Sequence, residues 1–550
     1  MSTRGRDLMG PVAFYTALGA WLLWPIVDHA ARAFPVAGSP QLLADILLVA
    51  WTLAWECHAL ATDPFSLFSA NRFHPHPQAL ALSEHLLGNL PVFAPVYAVT
   101  GNAVLGTNVT MLVSYVATGT AMYWLVRDWT GNTAAGLLAG CLLAFNPWRA
   151  NHGMWWYHWL NFQYLPVILL ALDRVARRPR AGIVVAAAAI LSLQASCSYY
   201  LGYVAFFAAF TFATVHQLAT PRAERRPLWL LLALIAAALA LVPISLPYLA
   251  AFGHVEGLQL DTAGWRLVVW RWGHPLKITQ AFISPGTIGL AAIGLVSLVR
   301  ADRLWRARGL GVLAIALTGY VLCLGPGPAW LPFPLPFALA QMVVPGMGDI
   351  RMPWLFGILA LLGLTALAGL GAAAILSLVK GRLRTIAGVG LVVLGIVSAW
   401  AAARQAHYGF RTVPTGRDVP PVYRWLATHG AGGPLLELPI YVKEGLGLRR
   451  MEANAWAMYF STFHWLPLLN GYGRYDPPDQ APVLEAARRI PEPEAIPLLV
   501  RDAGLRWIVL HDKARHARLA TGLARLATVR LVGEFGNDAL YEITRSERRP

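Results

Sequence analysis

The residues able to do chemistry lie outside the long apolar runs of this 550-residue chain. After a first apolar run comes ADILLVAWTLAWECHALATDPFSLFSANRFHPHP, from Ala44 to Pro77, with Asp45, Glu56, Asp63, His74 and His76 set among tryptophans. On a helix, Asp45, Thr52 and Glu56 share one face, with the two acids about 16 Å apart along the axis. That distance rules out a single acid–base pair, so Asp45 is the primary acid and Glu56 a secondary one. The alternatives are a helix cap for Asp45 and a solvated or capping carboxylate for Glu56. His74 and His76 alternate in an extended segment, so both rings face one way, which suits a phosphate or a metal. It equally suits a proline-framed turn with exposed histidines. A metal, Mg or Mn, would need a carboxylate as well, and only the fold could bring Asp45 there; the residues themselves commit to no cofactor. Glu84 beside His85 is a weaker pair.

Two further loops carry candidates. Trp148, Trp155, Trp156, Tyr157, His158 and Trp159 crowd one short stretch. Such aromatics anchor proteins at membrane interfaces, but they also stack on sugars and pack against prenyl chains. Trp155 and His158 are the candidates for substrate contact. Gly346-Met-Gly-Asp349-Ile-Arg351-Met-Pro353 precedes an apolar run. An arginine at a helix start, beside backbone N–H groups, can clamp a phosphate. The alternative is an interfacial Arg351 paired with Asp349.

The elements that must position these groups are membrane helices. The chain is 57% hydrophobic and 13% charged, against about 25% charged in soluble domains, and its mean hydropathy is +0.51. Apolar runs of about 18 to 25 residues recur, long enough to cross a bilayer. The net charge of +16 does not signal nucleic acid. Its arginines sit in short loops (174–180, 222–226, 300–308, 380–384), the pattern of cytoplasmic loops. With those loops and the amino terminus inside, about eleven spans fall at 11–27, 108–126, 134–147, 160–173, 181–196, 199–218, 228–251, 277–299, 308–325, 352–378 and 384–402. The first run follows Arg4 and Arg6, and Ala31-Arg32-Ala33 resembles a cleavage site, but an uncleaved span fits the parity better. Cys57, Cys141, Cys197 and Cys323 are scattered small core residues with no metal-type spacing.

The expected architecture is an α-helical polytopic membrane domain, 1–402, with a large first outer loop at 28–107, followed by an extracytoplasmic α/β domain at 403–550. In the latter, 419–429 reads as a helix, 434–438 and 507–511 as buried strands, and 529–535 with 539–543 as a hairpin around Gly536-Asn537-Asp538.

The first loop resembles that of membrane-embedded glycosyltransferases of the GT-C class, which includes protein O-mannosyltransferases and lipid A aminoarabinose transferases. Ala44-Asp45-Ile46 stands where those families carry an acid pair. His74-Pro75-His76-Pro77 stands at a His-Pro-Pro segment, and 82–101 at a second interfacial helix. The chain is similar over nearly its whole length to a group of bacterial membrane proteins of this class. The shared segments are Trp51-Thr-Leu-Ala-Trp55, Asp63-Pro64, Phe73-His-Pro75, Arg351-Met-Pro353 and the stretch from His464 to Gly471. Ile46 departs from the pattern, since the second acid of the pair is missing; Glu56, Asp63 or Glu84 is left to assist, or the enzyme is dead.

The resemblance implies an inner-membrane hexosyltransferase acting with inversion, its amino terminus cytoplasmic and its carboxy-terminal domain outside. The donor would be a polyprenyl-phosphate sugar, and the acceptor a glycan, lipid or protein of the cell envelope. Asp45, with Glu56, would be catalytic and would activate the acceptor. Arg351, His74 and His76 would bind the donor phosphate, and Trp155, His158, Glu84 and Asp349 the substrates. The competing reading is a non-catalytic transporter of lipid-linked sugar, or an envelope assembly factor. The near absence of charge within the apolar runs counts against ion-coupled transport.

Overall fold

The computed structural model describes residues 3–36, 41–151, 157–252, 263–430, 432–441, 448–473, 475–477 and 479–544. Two compact units emerge. One comprises residues 1–28, 110–242 and 259–408; the other comprises 29–109, 243–258 and 409–550. The first loop and the carboxy-terminal segment therefore belong to the same unit.

The first unit is a helical bundle. Seven helices among the described residues are long and apolar enough to cross a membrane: Leu43–Thr62, Ala103–Thr130, Tyr199–Ala219, Pro227–Ala251, Arg303–Cys323, Pro353–Leu378 and Gly381–Arg404. Leu43–Thr62, which the sequence reading leaves in the first loop, belongs to the second unit. The run expected as one span at 277–299 is instead Pro275–Phe282 and Pro285–Arg300, bent by 110°. Pro285 follows Ser284, and a residue before proline avoids the helical region; Ser284 has ψ 148°. Counting that pair raises the number to eight. Three other expected spans are the helices Thr133–Ala144, Leu165–Arg177 and Ala181–Ala195. At about 1.5 Å per residue each is shorter than a hydrocarbon core of about 30 Å.

Small residues let these helices approach backbone to backbone. A Cβ on Gly371 would meet the carbonyl oxygen of Leu290 at 2.1 Å, and one on Gly294 that of Leu367 at 2.1 Å. An ion network locks other helices of the bundle. Buried Asp173 accepts from Arg308 Nε (3.1 Å) and Nη2 (2.8 Å), and Arg177 lies 2.9 Å away.

In the second unit, strand β1 (Ala33–Val36) pairs antiparallel with β2 (Gly409–Thr412). A second sheet has the order β3-β4-β6-β5. Here β3 (Leu435–Leu438) and β4 (Trp507–Leu510) are parallel, while β5 (Val529–Phe535) and β6 (Asp538–Ile543) form the expected hairpin. The helices Gln480–Arg488 and Ala495–Ala503 cross between β3 and β4. Their apolar faces bury Val483, Ile496 and Leu499 with Leu436, Ile508 and Leu510 in one core. Such continuously apolar strands are the mark of a parallel pair covered by helices.

Candidate active site

The helix Gln41–Thr62 is continuous. Asp45 is its fifth residue, past the first turn, so it does not cap the helix. It is half-buried, and the Tyr472 hydroxyl donates to its Oδ1 across 427 residues of chain. The Tyr472 carbonyl accepts from Arg72 Nη1. Arg72 is fully buried; its Nε and Nη2 donate to the Ala79 carbonyl at 3.3 and 2.9 Å. The guanidinium lies over the rings of Trp51 (4.9 Å) and Phe73 (5.6 Å). Burial pulls Arg72 down to about 9, so it remains a cation at neutral pH. One residue, Tyr472, thus meets a half-buried carboxylate through its hydroxyl and a buried cation through its carbonyl.

The first-loop tryptophans frame this cluster. Trp51 Nε1 donates to Asn71 Oδ1 at 3.2 Å, and Trp55 Nε1 to the Leu67 carbonyl at 2.8 Å. The segment from Asn71 to His74 runs along 468–470. Phe73 N–H donates to the Asn470 carbonyl (3.0 Å), His74 N–H to that of Leu468 (2.8 Å), and Leu468 N–H to that of Asn71 (2.9 Å). Residues 467–469 in turn bond the backbone of Leu435 at the start of β3. The histidine segment is therefore fastened to the sheet.

Glu56 sits three turns beyond Asp45 on the same unbroken helix, about 16 Å along the axis. It is fully buried. The Leu86 N–H donates to its Oε1 at 2.7 Å, while Oε2 has no hydrogen-bond partner among the described residues. His74 is half-buried, and burial holds it below the ordinary histidine value. His76 Nδ1 lies 2.9 Å from Asp479 Oδ1. Glu84 is half-buried in a non-helical stretch. Its neighbour His85 is buried, with its backbone N–H donating to the Tyr248 hydroxyl at 2.8 Å. Among the described residues no three His, Cys, Asp or Glu side chains are grouped to hold a metal ion.

The remaining candidates lie in the helical bundle. Arg351 donates its backbone N–H to the Tyr200 hydroxyl at 3.0 Å. The Tyr200 ring lies 5.0 Å from that of Trp159, which packs edge-on at 4.8 Å against half-buried His158. Among the described residues the Arg351 side chain forms no ion pair. Asp349 is half-buried two residues away. Trp155 lies outside the described residues.

Two groups escaped the sequence reading. Arg149 is fully buried; it donates to the Ala144 carbonyl (3.1 Å) and Ser114 Oγ (2.6 Å), between the rings of Tyr115 (4.4 Å) and Phe162 (4.3 Å). It stands in the tryptophan loop, an arginine among aromatics. In the sheet domain, Glu437 Oε2 accepts from the Tyr423 hydroxyl and faces His511 Nε2, each at 2.9 Å, while His511 Nδ1 lies 3.2 Å from Asp538. Asn470 clamps the Glu437 backbone, its Oδ1 accepting at 2.7 Å and its Nδ2 donating at 3.0 Å. Burial alone would lower His511, but Asp538 and Glu437 outweigh it and hold it up to about 10. A glutamate inside the apolar run Leu435-Leu-Glu-Leu438 was the available signal.

No family model matches the sequence, and no curated protein matches it. Among solved structures, arabinofuranosyltransferase AftD from Mycobacteria matches with a TM-score of 0.61 at 15% identity, covering 99% of this chain and 40% of AftD. The chain has the AftD fold. A second AftD structure, of a mutant, matches at a TM-score of 0.52 and 16% identity, over 93% of this chain and 42% of that one. ArnT from Cupriavidus metallidurans is matched at 0.48 and 12% identity, over 98% of both chains. The architecture is thus a polytopic α-helical membrane protein with a small carboxy-terminal sheet domain, and it spans about two fifths of the length of AftD.

Proposed function

We propose that this chain is a membrane glycosyltransferase that moves a sugar from a polyprenyl-phosphate donor to an extracytoplasmic acceptor of the cell envelope. The observation that carries the reading is the AftD fold over 99% of the chain. The half-buried carboxylate of Asp45, held by the Tyr472 hydroxyl beside buried Arg72, supports it.

In the proposed reaction the acceptor oxygen bonds to the sugar's anomeric carbon as the bond from that carbon to the phosphate oxygen breaks, with inversion. Asp45 takes the acceptor's proton. The polyprenyl phosphate leaves, its charge met by Arg351. Tyr472 fixes the carboxylate's orientation. Glu56, enclosed and three turns away, supports the loop through Leu86. In this reading His74 and His76 join Arg351 in meeting the donor phosphate, and His158, Glu84 and Asp349 contact the substrates.

The test is turnover of radiolabelled polyprenyl-phosphate sugars by purified protein in lipid, with and without chelator. Asp45→Asn is expected to lower turnover by about 10²- to 10⁴-fold, the usual worth of a general base. Tyr472→Phe is expected to lower it less, with the folded yield of both variants unchanged. Transfer by Asp45→Asn at the wild-type rate would remove Asp45 from the mechanism.

A further inference from the structure

At one end of the helical bundle lies a cavity of about 340 Å³, within the range of small-molecule pockets, about 300–1,000 Å³. Its walls are helix ends. Thr130 closes the helix Ala103–Thr130, Asn132 caps Thr133–Ala144, Ser297 ends Pro285–Ser297 and Asp302 caps Arg303–Cys323. Ser377 stands one residue before the end of Gly357–Leu378, and Arg384 sits in the first turn of Gly381–Arg404. Helix ends of membrane spans lie at headgroup level. This end carries the basic loops at 300–308 and 380–384, the cytoplasmic pattern.

The polar groups in the walls are divided by sign. Asp302 and Arg384 line the same cavity, yet form no ion pair with each other among the described residues. Asn132 spends its Oδ1 on the Ala135 N–H at 3.0 Å, and among the described residues its Nδ2 has no bond. Asn132 and Arg384 therefore offer donors. The hydroxyls do the opposite. Thr130 donates to the Val126 carbonyl (2.7 Å), Ser297 to that of Gly294 (2.6 Å) and Ser377 to that of Ala374 (2.7 Å). Each has used its proton and presents lone pairs, one of those on Thr130 accepting from the Asn132 backbone N–H at 3.1 Å. These oxygens, together with the Asp302 carboxylate, make an acceptor set. A ligand that satisfies both sets carries an anion and a hydrogen-bonding cation a few atoms apart.

We infer that this cavity binds the headgroup of a phospholipid bearing a primary ammonium and a phosphodiester, such as phosphatidylethanolamine. Arg384 and the Asn132 amide take the phosphate. Asp302 and the three hydroxyls take the N–H groups of the ammonium. A trimethylated headgroup has no N–H to give, and an anionic headgroup without an amine leaves Asp302 facing like charge.

The test is native mass spectrometry of the full chain, delipidated and then offered equal amounts of phosphatidylethanolamine, phosphatidylcholine and phosphatidylglycerol. The wild type is expected to retain phosphatidylethanolamine about tenfold over each of the others, the worth of one charge-assisted hydrogen bond. Asp302→Asn keeps the helix cap, since Asn caps as well as Asp, and is expected to erase the preference over phosphatidylcholine. Arg384→Ala should weaken all three lipids, and Ala374→Trp, which fills the cavity, should abolish selective retention. Indiscriminate retention by the wild type, or an unchanged preference in Asp302→Asn, would overturn the assignment. Binding of soluble glycerophosphoethanolamine as tight as that of the lipid would overturn the membrane source.

Discussion

At the scale of residues, three arrangements depend on groups buried together. Tyr472 holds Asp45 and receives Arg72, and Arg149 is wrapped by aromatic rings and carbonyls. His511 bridges Glu437 and Asp538. The last has a pH signature. His511 is held up to about 10 in the folded protein, above the ordinary histidine value of about 6.5. A group whose folded pKa is raised stabilises the fold fully below its unfolded value, and that contribution fades as pH climbs through the folded value. His511→Gln is therefore expected to lower the unfolding temperature most at about pH 6, with the gap to wild type closing toward about pH 10. A gap that is constant with pH would show that the imidazolium contributes nothing. Sequence reading found Asp45 as an acid in the first loop. It missed Tyr472, which stands just past the His464 to Gly471 stretch quoted for the family resemblance, because nothing local marks a tyrosine as the partner of an acid 427 positions away.

At the scale of elements, periodicity and composition were enough for β3 and β4 as buried strands, though not for their parallel pairing, and for the hairpin of β5 and β6 and the helix Pro421–His429. They failed at 277–299, where a uniformly apolar run conceals a 110° bend. Hydropathy records burial in lipid, and Ser284-Pro285 adds only a weak mark to it. They also gave no sign of how closely helices pack. Helices Pro285–Ser297 and Gly357–Leu378 meet where Gly371 leaves no room for a side chain. Gly371→Val forces the helices apart, and overpacking costs typically about 1–3 kcal/mol. Its unfolding temperature in detergent is expected to fall well below that of Gly390→Val, since a Cβ at Gly390 meets nothing within 4 Å. Equal stability of the two variants would mean that this helix pair does not pack in the membrane.

At the scale of the molecule, the fold likeness covers 99% of the chain, and the basic loops predict an orientation in the membrane that labelling can test. Arg382, in the first turn of the helix Gly381–Arg404, and Arg417, beyond its end, are both exposed. In a background with the four native cysteines replaced by alanine, a cysteine at 417 is expected to react with an impermeant thiol reagent in intact spheroplasts. A cysteine at 382 should react only after the membrane is opened. The reverse pattern would invert the topology and move the proposed chemistry to the cytoplasmic side. Labelling of both in intact spheroplasts would mean that the helix does not cross.

Composition and hydrophobic periodicity by themselves determined that this is a multi-pass helical membrane protein ending in a small sheet domain, because a span of apolar residues or an alternating strand is written locally along the chain. The tertiary structure alone decided that the first loop shares a unit with the carboxy-terminal segment and that Tyr472 joins Asp45 through its hydroxyl and Arg72 through its carbonyl. Those facts rest on hydrogen bonds and ring stacking between residues distant in sequence. Which donor reaches which acceptor is fixed by how whole elements pack, and no local pattern encodes it.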